Sequence, residues 1–107
     1  ILAYQPESFL QSLLKQLSPL PQYTKKTTTD IDKVLDDYKH CRGLGYAICD
    51  EELHLGVIAV AAPIFNYDGT VLGSIGVTCI KAHTSIPSLV KTICESAKEI
   101  SRLMGHV

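Results

Sequence analysis

The chemically densest stretch of the chain is Cys49-Asp50-Glu51-Glu52-Leu53-His54, which sets a thiol, three carboxylates and an imidazole within six residues. A thiolate with an imidazole base beside it is what a cysteine nucleophile requires. Three carboxylates around the thiol oppose that use, because neighbouring negative charge raises a thiol's pKa and keeps it protonated. The other reactive side chains are dispersed. Cys41, Cys79 and Cys94 complete the cysteines without a C-x-x-C pair or a compact disulfide framework, which reads as reduced thiols in a cytoplasmic protein. Cys79 and Cys94 fall in apolar patterns and are core candidates. His40, His54, His83 and His106 form no i, i+4 pair and no zinc spacing, so a metal site would have to be assembled in space from His40, Cys41 or His54. No cofactor is expected.

Recognition, as opposed to catalysis, is suggested by the stretch Gly45–Ile80. An apolar run from Gly56 to Phe65 meets Asn66-Tyr67-Asp68-Gly69, and a second run follows from Thr70 to Ile80, which is a hairpin signal. Side chains alternate across a strand, so loop length fixes which residues share a face. A loop of two residues or four puts Val57, Ala59, Ala61, Pro63 and Phe65 with Leu72, Ser74, Gly76 and Thr78. Ile58, Val60, Ala62 and Ile64 then share the other face with Val71, Gly73, Ile75, Val77 and Cys79. A three-residue loop would mix the two sets, and the even loop is preferred because it segregates them. The bulky face needs a helical cover, since burying each Val or Ile is worth about 1.5–3 kcal/mol. The small face is a shallow floor with two hydroxyls. It suits either a ligand or a closely packed helix.

The remaining segments read as helices able to pack on this hairpin. Pro6 and Glu7 suit a helix start, and Phe9, Leu10, Leu13, Leu14 and Leu17 give an apolar stripe ending before Pro19 and Pro21. Pro19 to Thr29 reads as a solvated loop despite Lys25 and Lys26. Asp30 offers an N-cap, and Ile31, Val34, Leu35 and Tyr38 carry a second helix to about Cys41, with Asp32, Asp36 and Asp37 on its outer side. Gly43 and Gly45 end it, and Tyr46–Ile48 is a short strand before the acidic turn. Lys81 to Ser85 is a loop. Ile86, Leu89, Val90, Ile93, Cys94, Ala97, Ile100 and Leu103 or Met104 then form a long amphipathic helix, with Pro87 in its first turn and Gly105 as its stop. The order predicts an α+β fold, an antiparallel sheet with flanking helices.

Length and charge bound the rest. The 107 residues and 11.7 kDa suit one domain or part of one, and the formal net charge of -1 gives the chain no electrostatic reason to bind nucleic acid or an anionic membrane. No apolar run approaches the roughly 18 residues of a transmembrane helix, and the start lacks the marks of a secretory signal. The chain opens at Ile1 in apolar sequence, as a fragment would.

Ile1-Leu2-Ala3-Tyr4, the run Tyr23 to Asp30, Arg42-Gly43-Leu44-Gly45-Tyr46-Ala47, Asp50-Glu51-Glu52, the run Gly56 to Phe65, and Ile100-Ser101-Arg102-Leu103 follow one another in an order and spacing that hold over nearly the whole chain. Together these segments are similar to the C-terminal part of the effector-binding domain of IclR-type bacterial transcriptional regulators. The resemblance implies a GAF-like or profilin-like domain that senses a small metabolite, often a carboxylate or sugar acid. It also implies a winged helix-turn-helix DNA-binding domain and the first half of the effector domain, both absent from this chain, and assembly as a dimer or tetramer. The family's pocket positions fall at Ala59, Gly76 and Thr78, on the small face reached above from strand parity, and at the turn position Cys49. Ser74 adds a hydroxyl, and Asp50 is expected at the rim. Cys49 stands where an aspartate is common, Ala59 where a cysteine is common, and Gly76 where a serine is common, so the pocket keeps its shape and loses polar groups.

The expectation is a non-enzymatic, ligand-sensing part of a DNA-binding regulator. The rivals are an oligomerisation module whose small face packs on a helix or second subunit, and a cysteine enzyme built on Cys49 and His54.

Overall fold

A computed structural model describes residues 1–107, which fold as an antiparallel three-stranded sheet with three α-helices. A 3-10 turn at Leu2–Tyr4 precedes α1 (Glu7–Leu17) and α2 (Ile31–Leu44). Strands β1 (Ala47–Asp50), β2 (Val57–Phe65) and β3 (Val71–Ile80) follow in sheet order β1-β2-β3, then a 3-10 turn at Lys81–His83 and α3 (Ile86–Leu103).

From Ile64 and Gly73 onward the hairpin has the expected faces but reaches them by another route, whereas Phe65 and Val71, expected on opposite faces, are paired. Phe65 pairs with Val71, and the Asn66 N–H donates to the Thr70 carbonyl at 2.8 Å, so the connection itself is odd. A register shift between Ile64 and Phe65 leaves Leu72 as an extra residue, a β-bulge that restores even parity from Ile64 opposite Gly73 down to Val57 opposite Ile80. Gly69 takes the left-handed conformation the turn requires, with φ 82°. At the bulged end Phe65 meets Tyr4 edge-on at 5.3 Å and stacks on His106 at 5.1 Å, closing the end of the sheet with aromatic surface.

The bulky face is covered by α3 alone. Val60 and Ala62 pack on Ile93 and Ala97, and Ile58 and Val60 are the most deeply buried large residues. The Ser101 hydroxyl, also buried, donates to the Ala97 carbonyl at 2.8 Å and accepts the Phe65 N–H at 2.9 Å, pinning the end of α3 to β2. Pro87 lies in the first turn of α3, and Gly105, at φ 89°, follows its C-cap.

Helices α1 and α2 pack on each other, not flat on the sheet. Leu10, Leu14 and Leu35 form a second cluster, while Phe9 and Leu17 of the apolar stripe remain exposed. The Asp30 carboxylate caps α2 by accepting the Asp32 N–H at 2.9 Å. The helix runs past Gly43 to Leu44 and ends at Gly45, in the left-handed conformation with φ 84°. The expected end at about Cys41, with both glycines as the stop, is overrun by three residues because, of the two, only Gly45 adopts the cap geometry.

The molecule is a slab, 39 × 38 × 17 Å, and only nine residues are buried. Its surface of 7070 Å² exceeds the about 5,900 Å² that a compact protein of this mass exposes. The excess lies partly on the sheet face opposite α3, where Leu72, Ser74, Gly76 and Thr78 are exposed.

Candidate functional site

Strand register brings together five of the six residues expected at the site. Cys49 pairs with Ala59, and Ala59 with Thr78, so the three form one row across the sheet. The next row is Ala47, Ala61 and Gly76, and Ser74 lies opposite Pro63 beyond it. Directly paired residues present their side chains on the same face, with Cβ atoms about 4.5–5.5 Å apart. Cys49 thus belongs to a strand and not to the acidic turn, because β1 extends to Asp50, two residues past the expected end at Ile48.

Asp50 is not brought to that face. It pairs with Ile58 and so points to the α3 side, where its carboxylate meets the Lys81 ammonium at 2.8 Å. Gly76 has a reason to be glycine inside the sheet itself. A Cβ there would stand 3.0 Å from the Val60 carbonyl oxygen and 3.1 Å from the Ala61 Cβ, which is tighter than ordinary packing.

The acidic turn is a structural junction. Glu51 holds φ 59°, unusual for a residue with a side chain, and the surrounding bonds account for it. Its N–H donates to the Val57 carbonyl at 3.0 Å, its carbonyl accepts the Thr24 hydroxyl at 2.7 Å, and its carboxylate accepts the Gly56 N–H at 2.8 Å. Lys26 bonds the same carboxylate, with Lys81 at 3.5 Å. The Lys26 hydrogen bond, then the Gly56 N–H, lower the Glu51 pKa from 4.5 to about 2. The Thr27 hydroxyl donates to the Glu52 carbonyl, so the threonine-rich loop expected to be solvated is a strap joining the α1–α2 pair to the sheet.

A cleft of about 780 Å³ lies between α2 and the β1 edge. Ile1 lines it with Leu2 and Ala3 of the 3-10 turn; α2 supplies Val34, Asp37, Tyr38, His40, Cys41 and Leu44; and Tyr46 with the sheet residues Ala47, Ile48 and Ser74 lines the other side, with Thr28 and Glu52 at the strap. Ala47 and Ser74 make the cleft continuous with the small face, and its volume is in the range of small-molecule sites. Asp37, read from the sequence as an outer residue, is exposed and yet lines this cleft. Burial, then the charge of Asp37, raises the pKa of the Cys41 thiol. Burial, followed by Cys41 and Asp37, does the same for the Tyr38 hydroxyl. The α2 wall was missed in the sequence, although the continuation of its apolar stripe through Tyr38, Cys41 and Leu44 was the available signal.

No group of three or more His, Cys, Asp or Glu side chains is gathered as a metal site, and no helix is long and apolar enough to cross a membrane. His54 is exposed in the turn, whereas Cys49 faces the open side of β1.

The chain belongs to the family described as bacterial transcriptional regulator IclR C-terminal, whose sequence model matches residues 1–102. The HTH-type transcriptional regulator KipR of Bacillus subtilis strain 168 is 28% identical over 109 residues, a match spanning 99% of this chain and 43% of KipR. The crystal structure of Thermotoga maritima IclR superposes with a TM-score of 0.85 at 29% identity, covering 99% of this chain and 44% of that one. The inducer-binding domain of PobR from Acinetobacter, solved as a double mutant with 3-hydroxybenzoic acid, has the same fold, with a TM-score of 0.85 at 20% identity over 98% of this chain and 59% of that one. This chain spans less than half the length of the curated relatives it matches. Those relatives are transcriptional regulators and not enzymes, which sets aside the cysteine-nucleophile reading.

Proposed function

We propose that this chain is the effector-sensing part of a cytoplasmic, DNA-binding transcriptional regulator, and that a small molecule binds on the small face of the hairpin. The observation that carries the reading is the open face itself. Cys49, Ala59 and Thr78 stand in one row, Gly76 and Ser74 continue the floor, and α3 covers only the opposite face. Family membership supports a regulatory role, and the PobR inducer-binding domain, crystallised with an aromatic hydroxy acid, supports small-molecule sensing on this fold. Thr78 and Ser74 supply hydroxyls to the ligand, Ala59 leaves room, and Cys49 closes the rim. Asp50, paired with Lys81 on the other face, has no part in it.

The winged helix-turn-helix that reads the operator belongs to the rest of the regulator, which works as a dimer or tetramer. Effector binding changes operator affinity by favouring one subunit arrangement, which requires the ligand to bind that arrangement better than its alternative. The exposure of Leu72, Ser74, Gly76 and Thr78 also favours a second reading, in which this face seats another subunit without any ligand.

A thermal-shift screen of the full-length regulator separates the two. A ligand at a hundred times its dissociation constant adds about 2.7 kcal/mol to its domain, which raises the midpoint by at least roughly 5 °C for a domain of about 150–250 residues. Stabilisation abolished by Ala59→Leu in a folded protein supports the sensor. A folded, oligomeric protein indifferent to every small molecule supports the assembly module.

A further inference from the structure

We infer that the turn at Glu51 couples the small face to the α1–α2 pair, so that a change of occupancy beside Cys49 is felt in both helices. This rests on the effector site proposed above and gives that site a route of communication.

Every hydrogen bond that the α1–α2 half of this chain makes to the sheet half runs between Thr24–Thr28 and the pair Glu51–Glu52. The Thr24 hydroxyl donates to the Glu51 carbonyl at 2.7 Å, Lys26 bonds the Glu51 carboxylate, the Thr27 hydroxyl donates to the Glu52 carbonyl, and the Thr28 hydroxyl reaches the Glu52 carboxylate at 3.4 Å. The ring contact of Tyr4 with Phe65 lies at the far end of β2. The same turn is tied to the other two strands. The Glu51 N–H donates to the Val57 carbonyl at 3.0 Å, the Gly56 N–H to the Glu51 carboxylate at 2.8 Å, and the Lys81 N–H to the Gly56 carbonyl at 2.9 Å.

The floor row of Cys49, Ala59 and Thr78 is separated from these ties by a single row, Asp50 with Ile58 and Cys79. Volume added beside Cys49 therefore bears on the strand end that carries them. Glu51 supplies an element with two arrangements. A residue with a Cβ leaves φ 59° for negative φ unless its surroundings hold it there, and the holding groups come from the strap on one side and the hairpin on the other. Two sites are coupled when both bias one such element.

The test is a mutant cycle in the full-length regulator, read by amide hydrogen exchange. Thr24→Val with Thr27→Val cuts the strap, Thr24→Ser with Thr27→Ser keeps its hydroxyls, and Cys49→Leu adds volume to the floor. Cutting the strap should speed exchange in Ala47–Asp50 about tenfold while α3 stays unchanged, and the serine pair should restore it. Cys49→Leu should change exchange in α1 and α2 about threefold or more with the strap intact and leave it unchanged with the strap cut. A purely structural strap gives no such dependence. Equal responses in the two backgrounds, or none in the first, overturn the inference. If the valine pair does not fold, Lys26→Met, at an exposed position, cuts the strap's ion pair instead and is judged by the same cycle. The cycle uses no ligand, so its failure strikes the coupling alone, whereas the effector site stands or falls on the thermal-shift screen.

Discussion

The two faces of the β2–β3 hairpin are made from alternate residues of the same strands, yet they have opposite fates. Val60 and Ala62 lie under α3 against Ile93 and Ala97, and Ile58, on the same face, is fully buried. Ala59, Ser74, Gly76 and Thr78, one residue away in each case, face the other side, and the three from β3 are exposed. Large β-branched side chains build a surface that must be covered, whereas small residues and hydroxyls build one that is stable when open. Under the proposed function, strand parity separates structure from recognition, and substitutions on the two faces should fail in different ways.

The largest effect is expected on the covered face. Ile93→Ala should lower stability by about 2–5 kcal/mol, read as a shift in the urea midpoint, through lost burial and an unfilled cavity between α3 and the sheet. Next is Ser101→Ala, which removes a buried hydroxyl holding both the Ala97 carbonyl and the Phe65 N–H. Stranding that N–H should cost about 1–3 kcal/mol in the same measurement. A cost below half a kilocalorie for either would show that the α3 face is looser than its packing indicates.

The junction between the sheet and the α1–α2 pair is probed by pH. Glu51 has a folded pKa of about 2 against an ordinary 4.5, a depressed carboxylate. Its contribution is therefore fully present above about pH 4.5 and is lost as pH falls from there toward about 2. Glu51→Gln should flatten that part of the stability profile while leaving the profile near neutrality parallel to the wild type. An unchanged acid limb would mean that the Lys26 and Gly56 contacts do not persist in solution.

The smallest effect on folding is expected on the open face. Thr78→Val should stay within about 0.5 kcal/mol of wild-type stability, as exposed substitutions do, while weakening effector binding by calorimetry. Unchanged affinity would remove Thr78 from the site.

Much of this division was legible in the sequence because it follows from period-two alternation. The faces were assigned correctly away from the turn even though the loop, and with it the pairing of Phe65 with Val71, was not. The bulge at Leu72 compensates an odd connection, and a bulge has no composition signal comparable with Asp-Gly at a turn. Helix α3 was readable from Pro87 through Gly105, and its stripe named Ile93 and Ala97, which meet the sheet, but it also named Leu103 or Met104, which are exposed, and left out Ser101, which bonds β2. What escaped depends on contacts between distant segments. The Thr24 and Thr27 hydroxyls find their acceptors 27 and 25 residues away, so a threonine-rich loop looks solvated until the turn at Glu51 is placed beside it. Asp37 looks outward on a helical wheel, but α2 leans over the β1 edge and leaves a cleft that this residue lines. Asp50 was placed at the rim because the strand was ended too early; two further residues of β1 turn it to the other face.

The central claim, that the small face is an effector site, is tested most directly by calorimetry of one stabilising ligand against the full-length regulator and its Ala59→Leu variant. Both proteins should melt within a few degrees of each other without ligand. The account predicts a binding isotherm for the wild type and none for the variant, because the leucine fills the floor beside Thr78 and Cys49. The same dissociation constant for both would place the ligand elsewhere and contradict it.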